Sequence, residues 1–281
     1  MSTHTHQTAP TQFVEANGTR FAYRRLGKPG GVPLLLIPHI LGTMDHWDPA
    51  VTDGLAQGRE VILFDNAGIA SSTGDVPSTF AEMARGAGAF VDALGIAKID
   101  LLGFSIGSMI AQNVAVLRPD LIRKLVIVGS GPRNGEGIPM TPRSQALFTA
   151  KYASDDDFWI AGFFTSSEAS QAAGREFLKR RNARVVNRDV AINEKVQPAQ
   201  FAALTEWGQP AGERFAYLKQ IKVPVLVVAG SDDIVFETQN SFLLQQHLPN
   251  AQLIIYPDSS HGMLFQYPDL FVEHTEIFLR S

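Results

Sequence analysis

The sequence predicts an α/β protein in which a mostly parallel central sheet is flanked by helices and carries an inserted helical cap. Three observations support this. Short apolar runs alternate with longer helix-like stretches, the pattern of strands joined by crossover helices. An Asn17-Gly18 pair stands between FVEANG and TRFAYRRL, a hairpin signal that opens the sheet with an antiparallel pair. From about Pro132 to Gly212 there is no convincing strand but several helix-like pieces, an interval far beyond the roughly 2 to 6 residues that usually join such units.

The runs at 32–39 (VPLLLIPH), 60–66 (EVILFDN), 99–105 (IDLLGFS), 124–130 (KLVIVGS), 223–232 (VPVLVVAGSD) and 251–260 (AQLIIYPDSS) have β-branched or leucine-rich cores and end in turn residues. They read as strands buried on both faces. Helices fit between them at 80–94, after Ser78-Thr79 as a cap, and at 238–248 and 269–281. The pieces RSQALFTAKY, EASQAAGREFLKRRNARV and PAQFAALTEW fill the long interval, so residues 1–132 and 213–281 are expected to form the core and 133–212 the cap.

Composition narrows the chemistry. With 281 residues, 45% hydrophobic and 19% charged, the chain buries roughly three quarters of its unfolded surface and needs no covalent staples. A net charge of -4 of mixed sign argues against nucleic acid as a partner. The absence of cysteine removes disulfides, thiolate metal sites and cysteine nucleophiles, leaving Ser, Thr, Lys or a carboxylate for covalent catalysis. The first ten residues, MSTHTHQTAP, have neither a basic nor an apolar region, and no apolar run is long enough to span a bilayer. A cytoplasmic setting without a membrane partner is therefore expected, and a homo-oligomer stays open. His4 and His6 read as solvated residues of a terminal tail.

The candidate nucleophile lies in Gly103-Phe104-Ser105-Ile106-Gly107, directly after the strand IDLLGF and before the helix-like MIAQNVAVLRP. In a strand–turn–helix context G-x-S-x-G is a nucleophile elbow that thrusts the serine above the sheet; the competing reading makes Ser105 an ordinary helix cap. A serine hydroxyl needs a base within hydrogen-bond reach. Of the seven histidines, His247 and His274 fall inside amphipathic helices and His39 and His46 border the first core strand. His261, in PDSSHGMLFQYP beyond the run AQLIIY, falls at the strand edge that carries the elbow, where open α/β sheets bind ligands. A carboxylate between Ser105 and His261 must complete the set, and Asp232 and Asp233 both qualify by position.

The order Ser105, Asp233, His261 resembles the α/β-hydrolase fold superfamily, from the opening hairpin to the last helix. GFSIGS, LFDNAGIASS, VAGSDDIVFETQNS and PDSSHGMLFQYP look like cofactor-free esterases, enol-lactonases and non-haem haloperoxidases or perhydrolases. In such proteins the acid is commonly followed by three residues and a proline. Asp233, followed by Ile234-Val235-Phe236 and then Glu237, fits that register without the proline, whereas Asp232 does not, and is left to cap the following helix. The resemblance also implies an oxyanion hole from two backbone N–H groups: that of Ile106 and one from Pro38-His39-Ile40-Leu41-Gly42-Thr43. The usual glycine after the histidine is missing; alignment on Gly42 and Trp47 puts Ile40 in the donating position, with Leu41 as the fallback.

The resemblance implies hydrolysis of a small, apolar carboxylic ester or lactone through an acyl-enzyme, with neither metal nor organic cofactor. A carbon–carbon hydrolase or perhydrolase could use the same triad, and a slow ligand-binding receptor could retain it. Haloalkane dehalogenases and epoxide hydrolases, which use an aspartate nucleophile, are disfavoured by Ser105. Cap aromatics Phe148, Phe158, Trp159, Phe163, Phe164, Phe177, Phe201 and Trp207 either dock the cap or line a pocket. Trp159, Phe163 and Phe164 are the candidates for substrate binding. The basic run Lys179, Arg180, Arg181, Arg184 and Arg188 reads as a solvated helix face ahead of a site for a substrate carboxylate.

Overall fold

The computed structural model describes residues 4–281. Its strands are β1 (Gln12–Ala16), β2 (Thr19–Leu26), β3 (Leu34–Ile37), β4 (Val61–Phe64), β5 (Ile99–Phe104), β6 (Ile122–Val128), β7 (Val225–Gly230) and β8 (Ala251–Tyr256). They form one sheet in the order β1-β2-β4-β3-β5-β6-β7-β8. β1 with β2 and β2 with β4 are antiparallel; every other neighbouring pair is parallel. Asn17 and Gly18 both take positive φ, 49° and 78°, the requirement of a type I′ hairpin turn.

Among the described residues there are ten α-helices, α1 (Pro49–Ala56), α2 (Phe80–Ala93), α3 (Ile106–Leu117), α4 (Pro142–Thr149), α5 (Asp155–Phe163), α6 (Glu168–Arg181), α7 (Val196–Trp207), α8 (Gln239–His247), α9 (Met263–Gln266) and α10 (Pro268–Arg280), and two short 3-10 turns at Met44–His46 and Ala216–Gln220. Because side chains alternate along a strand, the central strands feed two cores. Leu35, Ile62, Leu101, Leu125 and Val227 pack on one face with Phe90 of α2 and Ile110 of α3. Leu36, Leu63, Leu102, Val126 and Leu226 pack on the other with Leu55 of α1 and Phe271 of α10. Each fully buried side chain of this size contributes about 1.5–3 kcal/mol, which fixes the register face by face.

Helices α4 to α7 form an inserted helical segment between β6 and β7. It is stitched into both cores, through Leu147 and Trp207 on one face and Trp159, Phe163 and Phe177 on the other. Three helices escape the sequence reading: the single turn α9, which lies within the stretch read as the His261 loop, and α1 and α5. α1 starts at an Asp48 cap whose carboxylate accepts from Ala50 N, and α5 at a Ser154 cap that accepts from Asp157 N.

Three expectations about charged and polar side chains are corrected. His6 is buried, 1% exposed, with Nδ1 3.0 Å from Thr52 Oγ1, rather than solvated in a tail. The basic run is no solvated face either. Arg180 grips Asp48 at 2.9 and 2.6 Å, Arg181 lies over the Trp159 ring at 4.6 Å, and Arg184 donates to the carbonyls of His6 and Ala9. Lys179, with its side chain 70% exposed, does remain in solvent, and Arg188 is half exposed beside Asp45. Finally, Asp232 caps no helix: its exposed carboxylate pairs with Arg143 at 3.0 Å.

Candidate active site

The chain runs from β3 outward to β4 and then returns past β3 to β5, so the loops leaving β3 and β5 diverge around a crevice at the C-terminal edge of the sheet. Ser105 stands at that point, between β5 and α3, with φ 60° and ψ −125°. Such a conformation is strained for serine and persists only where its surroundings enforce it. The enforcement is visible in the flanking glycines. A Cβ on Gly103 would run into the backbone of Gly107 and Ser108, and one on Gly107 into the carbonyls of Ile37 and Pro38. The Ser105 hydroxyl makes no capping hydrogen bond, so the helix-cap reading of this residue does not hold. Ser108, by contrast, is stitched between Gly103 O and Val128 N and has no free hydroxyl to offer.

His261 follows β8 on the same edge, and its Nδ1 lies 2.8 Å from Asp233 Oδ2 with both residues 2% exposed. The other carboxylate oxygen accepts from Val235 N at 2.8 Å and Phe236 N at 3.0 Å, which fixes its orientation. A carboxylate partner keeps a proton on Nδ1 and turns Nε2 toward a substrate as the other ring nitrogen. Phe104, Phe163 and Phe236 surround the imidazole at 4.9, 5.4 and 5.9 Å between centroids. Ser105 and His261 line one cavity.

The loop after β3 forms the opposite wall. Ile106 N–H, at the first turn of α3, and Ile40 N–H have no protein acceptor among the described residues, whereas Leu41 N–H donates to Gln200 Oε1 of α7 at 2.7 Å. The fallback amide is therefore occupied and the preferred one is open. His39 Nδ1 donates to the Ile40 carbonyl at 2.7 Å, leaving Nε2 buried without a partner. Burial, reinforced by His46, holds the His39 pKa well below the ordinary histidine value. His46 accepts from Thr43 N at Nδ1, and burial together with Arg181 lowers its pKa to about 4. Both rings are thus neutral at pH 7.

The cavity measures about 630 Å³. Its apolar wall holds Phe148, Phe158, Trp159 and Phe163; Arg188, Asp189, Asp155 and Asp45 add a polar region. Phe164, grouped with Trp159 and Phe163 from the sequence, does not line it: the ring packs on Phe177 at 6.0 Å and against Gly174. Gln200, Asp189 and Val235 were not found from the sequence. Only Val235 carried a local signal, its place two residues after Asp233. No cluster of three or more metal-ligating side chains occurs among the described residues, and none of their helices is long and apolar enough to cross a membrane.

A strained serine at a strand–helix turn, with a buried His–carboxylate pair on the same crevice, defines the hydrolase class built on this sheet. The chain belongs to the alpha/beta hydrolase fold family, which matches residues 32–268. An alpha/beta hydrolase fold protein from Chitinophaga pinensis is 42% identical, the match covering 99% of this chain and all of that one, with a TM-score of 0.93. Est816, described as an N-acyl homoserine lactone degrading enzyme, is 26% identical over 95% of this chain and 100% of its own, with a TM-score of 0.74. RutD of Azorhizobium caulinodans, provisionally named a carbamate hydrolase, is 27% identical over 86% of this chain and 89% of its own.

Proposed function

We propose that this α/β hydrolase cleaves a carboxylic ester or lactone through an acyl-enzyme on Ser105. The observation that carries the reading is the buried Asp233–His261 pair at 2.8 Å, lining the same cavity as a serine held at φ 60°. Ser105 Oγ bonds to the substrate carbonyl carbon as His261 Nε2 takes its proton, and Asp233 stabilises the imidazolium. The Ile106 and Ile40 N–H groups hold the oxyanion. Collapse of the tetrahedral species breaks the C–O bond, and the leaving oxygen takes the proton from His261. Water then repeats the sequence on the acyl-serine, returning the hydroxyl to Ser105. Residues 133–212 act as a lid, with Trp159 and Phe163 as apolar wall for the substrate.

The likeness to Est816 supports a lactone among the substrates. The likeness to RutD adds carbamates, whose carbonyl offers the same electrophile. The test is a panel of p-nitrophenyl esters, lactones, a carbamate and a vinylogous diketone, assayed on wild type and Ser105→Ala. Ester or lactone turnover should fall by several orders of magnitude in Ser105→Ala with thermal unfolding unchanged. Diketone cleavage without ester cleavage would move the reaction to a carbon–carbon bond, and full activity in Ser105→Ala would overturn the mechanism.

A further inference from the structure

A second cavity reaches Ser105. It measures about 10 Å³ against about 630 Å³ for the first, room for a single group the size of a water or a methyl. Ser105, Ile40, Phe148 and Val235 line both, so the two meet at the serine. The small one is closed by Ile106 and Phe236 of the core and by Pro139, Met140 and Leu204 of the inserted segment. Among the described residues its lining is apolar apart from Ser105 and Ser144. The Ser144 hydroxyl is tied to Thr141, accepting from its N–H at 2.8 Å and donating to its carbonyl at 3.1 Å. Ile106, Leu204 and Phe236 are buried, and close packing gives those walls little room to retreat. The two cavities also differ in one group that matters to the chemistry: His261 lines the large cavity and not the small one.

We propose that the small pocket takes the acyl chain and the large cavity the alcohol, so that the substrate is an open-chain ester of an apolar acid of about two or three carbons with a bulky alcohol. The assignment rests on the reading of Ser105 and His261 as nucleophile and base, and narrows it. In acyl transfer the leaving oxygen takes its proton from the imidazole, so it lies on the His261 side and the alcohol extends from there into the large cavity. The carbonyl oxygen goes to the backbone donors. The remaining substituent of the carbonyl carbon, the acyl chain, is left with the pocket that Ile40 and Ile106 help to line. A lactone keeps its acyl and alcohol parts in one ring and does not divide between two cavities, so the open-chain ester is favoured. Met140 and Leu204, contributed by the inserted segment, set the limit on acyl length.

The test uses two isomeric esters that differ in the direction of the ester link, phenethyl acetate and methyl 3-phenylpropanoate, together with phenethyl butyrate, each rate divided by that of the hydroxide reaction. Wild type should favour phenethyl acetate over its isomer and over the butyrate by about 10- to 200-fold in kcat/KM, the discrimination that one misfitting methylene brings in an apolar pocket. Met140→Ala and Leu204→Ala should each raise the butyrate about tenfold or more relative to the acetate. Met140 is 38% exposed and can be truncated even where loss of the buried Leu204 costs the fold. Phe158→Ala, which widens the large cavity and not the small one, should leave that ratio within about twofold. Equal or reversed preference in either wild-type pair, or a ratio unmoved by both pocket variants, would overturn the proposal and leave Ser105 as the nucleophile. Should wild type hydrolyse no ester, the functional reading fails on its own. Labelling of Ser105 by two phosphonofluoridates, with the same bulky alkoxy group and either methyl or butyl on phosphorus, then still reads the pocket: the methyl compound should react about tenfold faster or more, and equal rates or no labelling would overturn the proposal.

Discussion

Asp232→Asn and Asp233→Asn are neighbouring, isosteric changes with opposite expected consequences. In Asp233→Asn the amide oxygen can keep the bonds from Val235 N and Phe236 N, so the loop retains its shape. The amide nitrogen then replaces Oδ2 at 2.8 Å from His261 Nδ1. A donor in that position selects the tautomer with its proton on Nε2, the end that must receive the proton of Ser105. The equivalent change in serine proteases lowers turnover by about 10⁴, and the same order is expected here, with roughly 1–3 kcal/mol of stability lost with the charge-assisted bond. Among the described residues Asp232 meets only Arg143 through its side chain, with both partners more than half exposed, an arrangement worth about 0–1 kcal/mol. Its backbone N–H to Ser259 O survives the substitution. Steady-state rates on a p-nitrophenyl ester, paired with urea unfolding, separate the two. Full activity in Asp233→Asn, or collapse in Asp232→Asn alone, would refute the assignment of the acid.

A fluorophosphonate probe should form one adduct, on Ser105, since Ser108 has its hydroxyl committed to the backbone; intact-mass and peptide mapping check this, and an adduct on Ser108 would contradict it. Burial, aided by Arg24, lowers the His6 pKa from 6.5 to about 4, so the unfolded chain binds a proton in that window that the folded chain refuses. Stability is therefore full above pH 6.5 and declines as pH falls toward 4, by up to about 3 kcal/mol from this residue. Urea unfolding at pH 7.5 and 4.5 should show a smaller acid loss in His6→Gln than in wild type, and equal losses would contradict the burial argument. Trp159→Ala opens the cavity wall beside His39 and Phe163, and should shift the preferred ester chain length as well as cost about 3–5 kcal/mol. The same ester ranking in Trp159→Ala and Phe158→Ala would reduce the aromatic wall to packing.

What was readable in advance was local. The elbow is written within a few residues, because strand, glycines, serine and helix are contiguous, and the central strands announce themselves by being apolar on both faces. The carboxylate that meets His261 could not be chosen by position alone, since Asp232 and Asp233 are adjacent beyond the strand and only the fold shows that Asp233 turns inward. α5 hid behind three consecutive aspartates after Ser154, a run that suits a helix N-terminus but looks like loop polarity. The Asp48-Pro49 start of α1 was a legible cap signal that the apolar pattern around it overshadowed. The basic run misled for a deeper reason. Arginines at helical spacing look alike whether they face solvent or an aspartate 132 positions away, as Arg180 does with Asp48.

Those distant pairs explain how the inserted segment is held over the site. Asp45 and Asp189 exchange backbone bonds, each carboxylate accepting the other's N–H at 2.7 to 2.8 Å, and Arg24 bridges the two acids from β2. Burial raises the Asp189 pKa and pushes that of Asp65 well up, while Arg24 helps to lower that of Asp45. Buried ion pairs of this kind are often replaceable by apolar residues without loss of stability, because desolvation offsets the attraction. Their consequence here is geometric. An apolar contact would hold the segment within a range of positions, whereas a two-way backbone exchange closed by a guanidinium admits one register. That register sets Arg188, Asp189 and Val190 on the cavity wall. The same segment places Gln200 on the β3 loop and hands the Phe163 carbonyl to Gly262 N, next to His261. The inserted helices therefore enclose the cavity and also brace, by separate hydrogen bonds, the loops that carry Ile40 and His261.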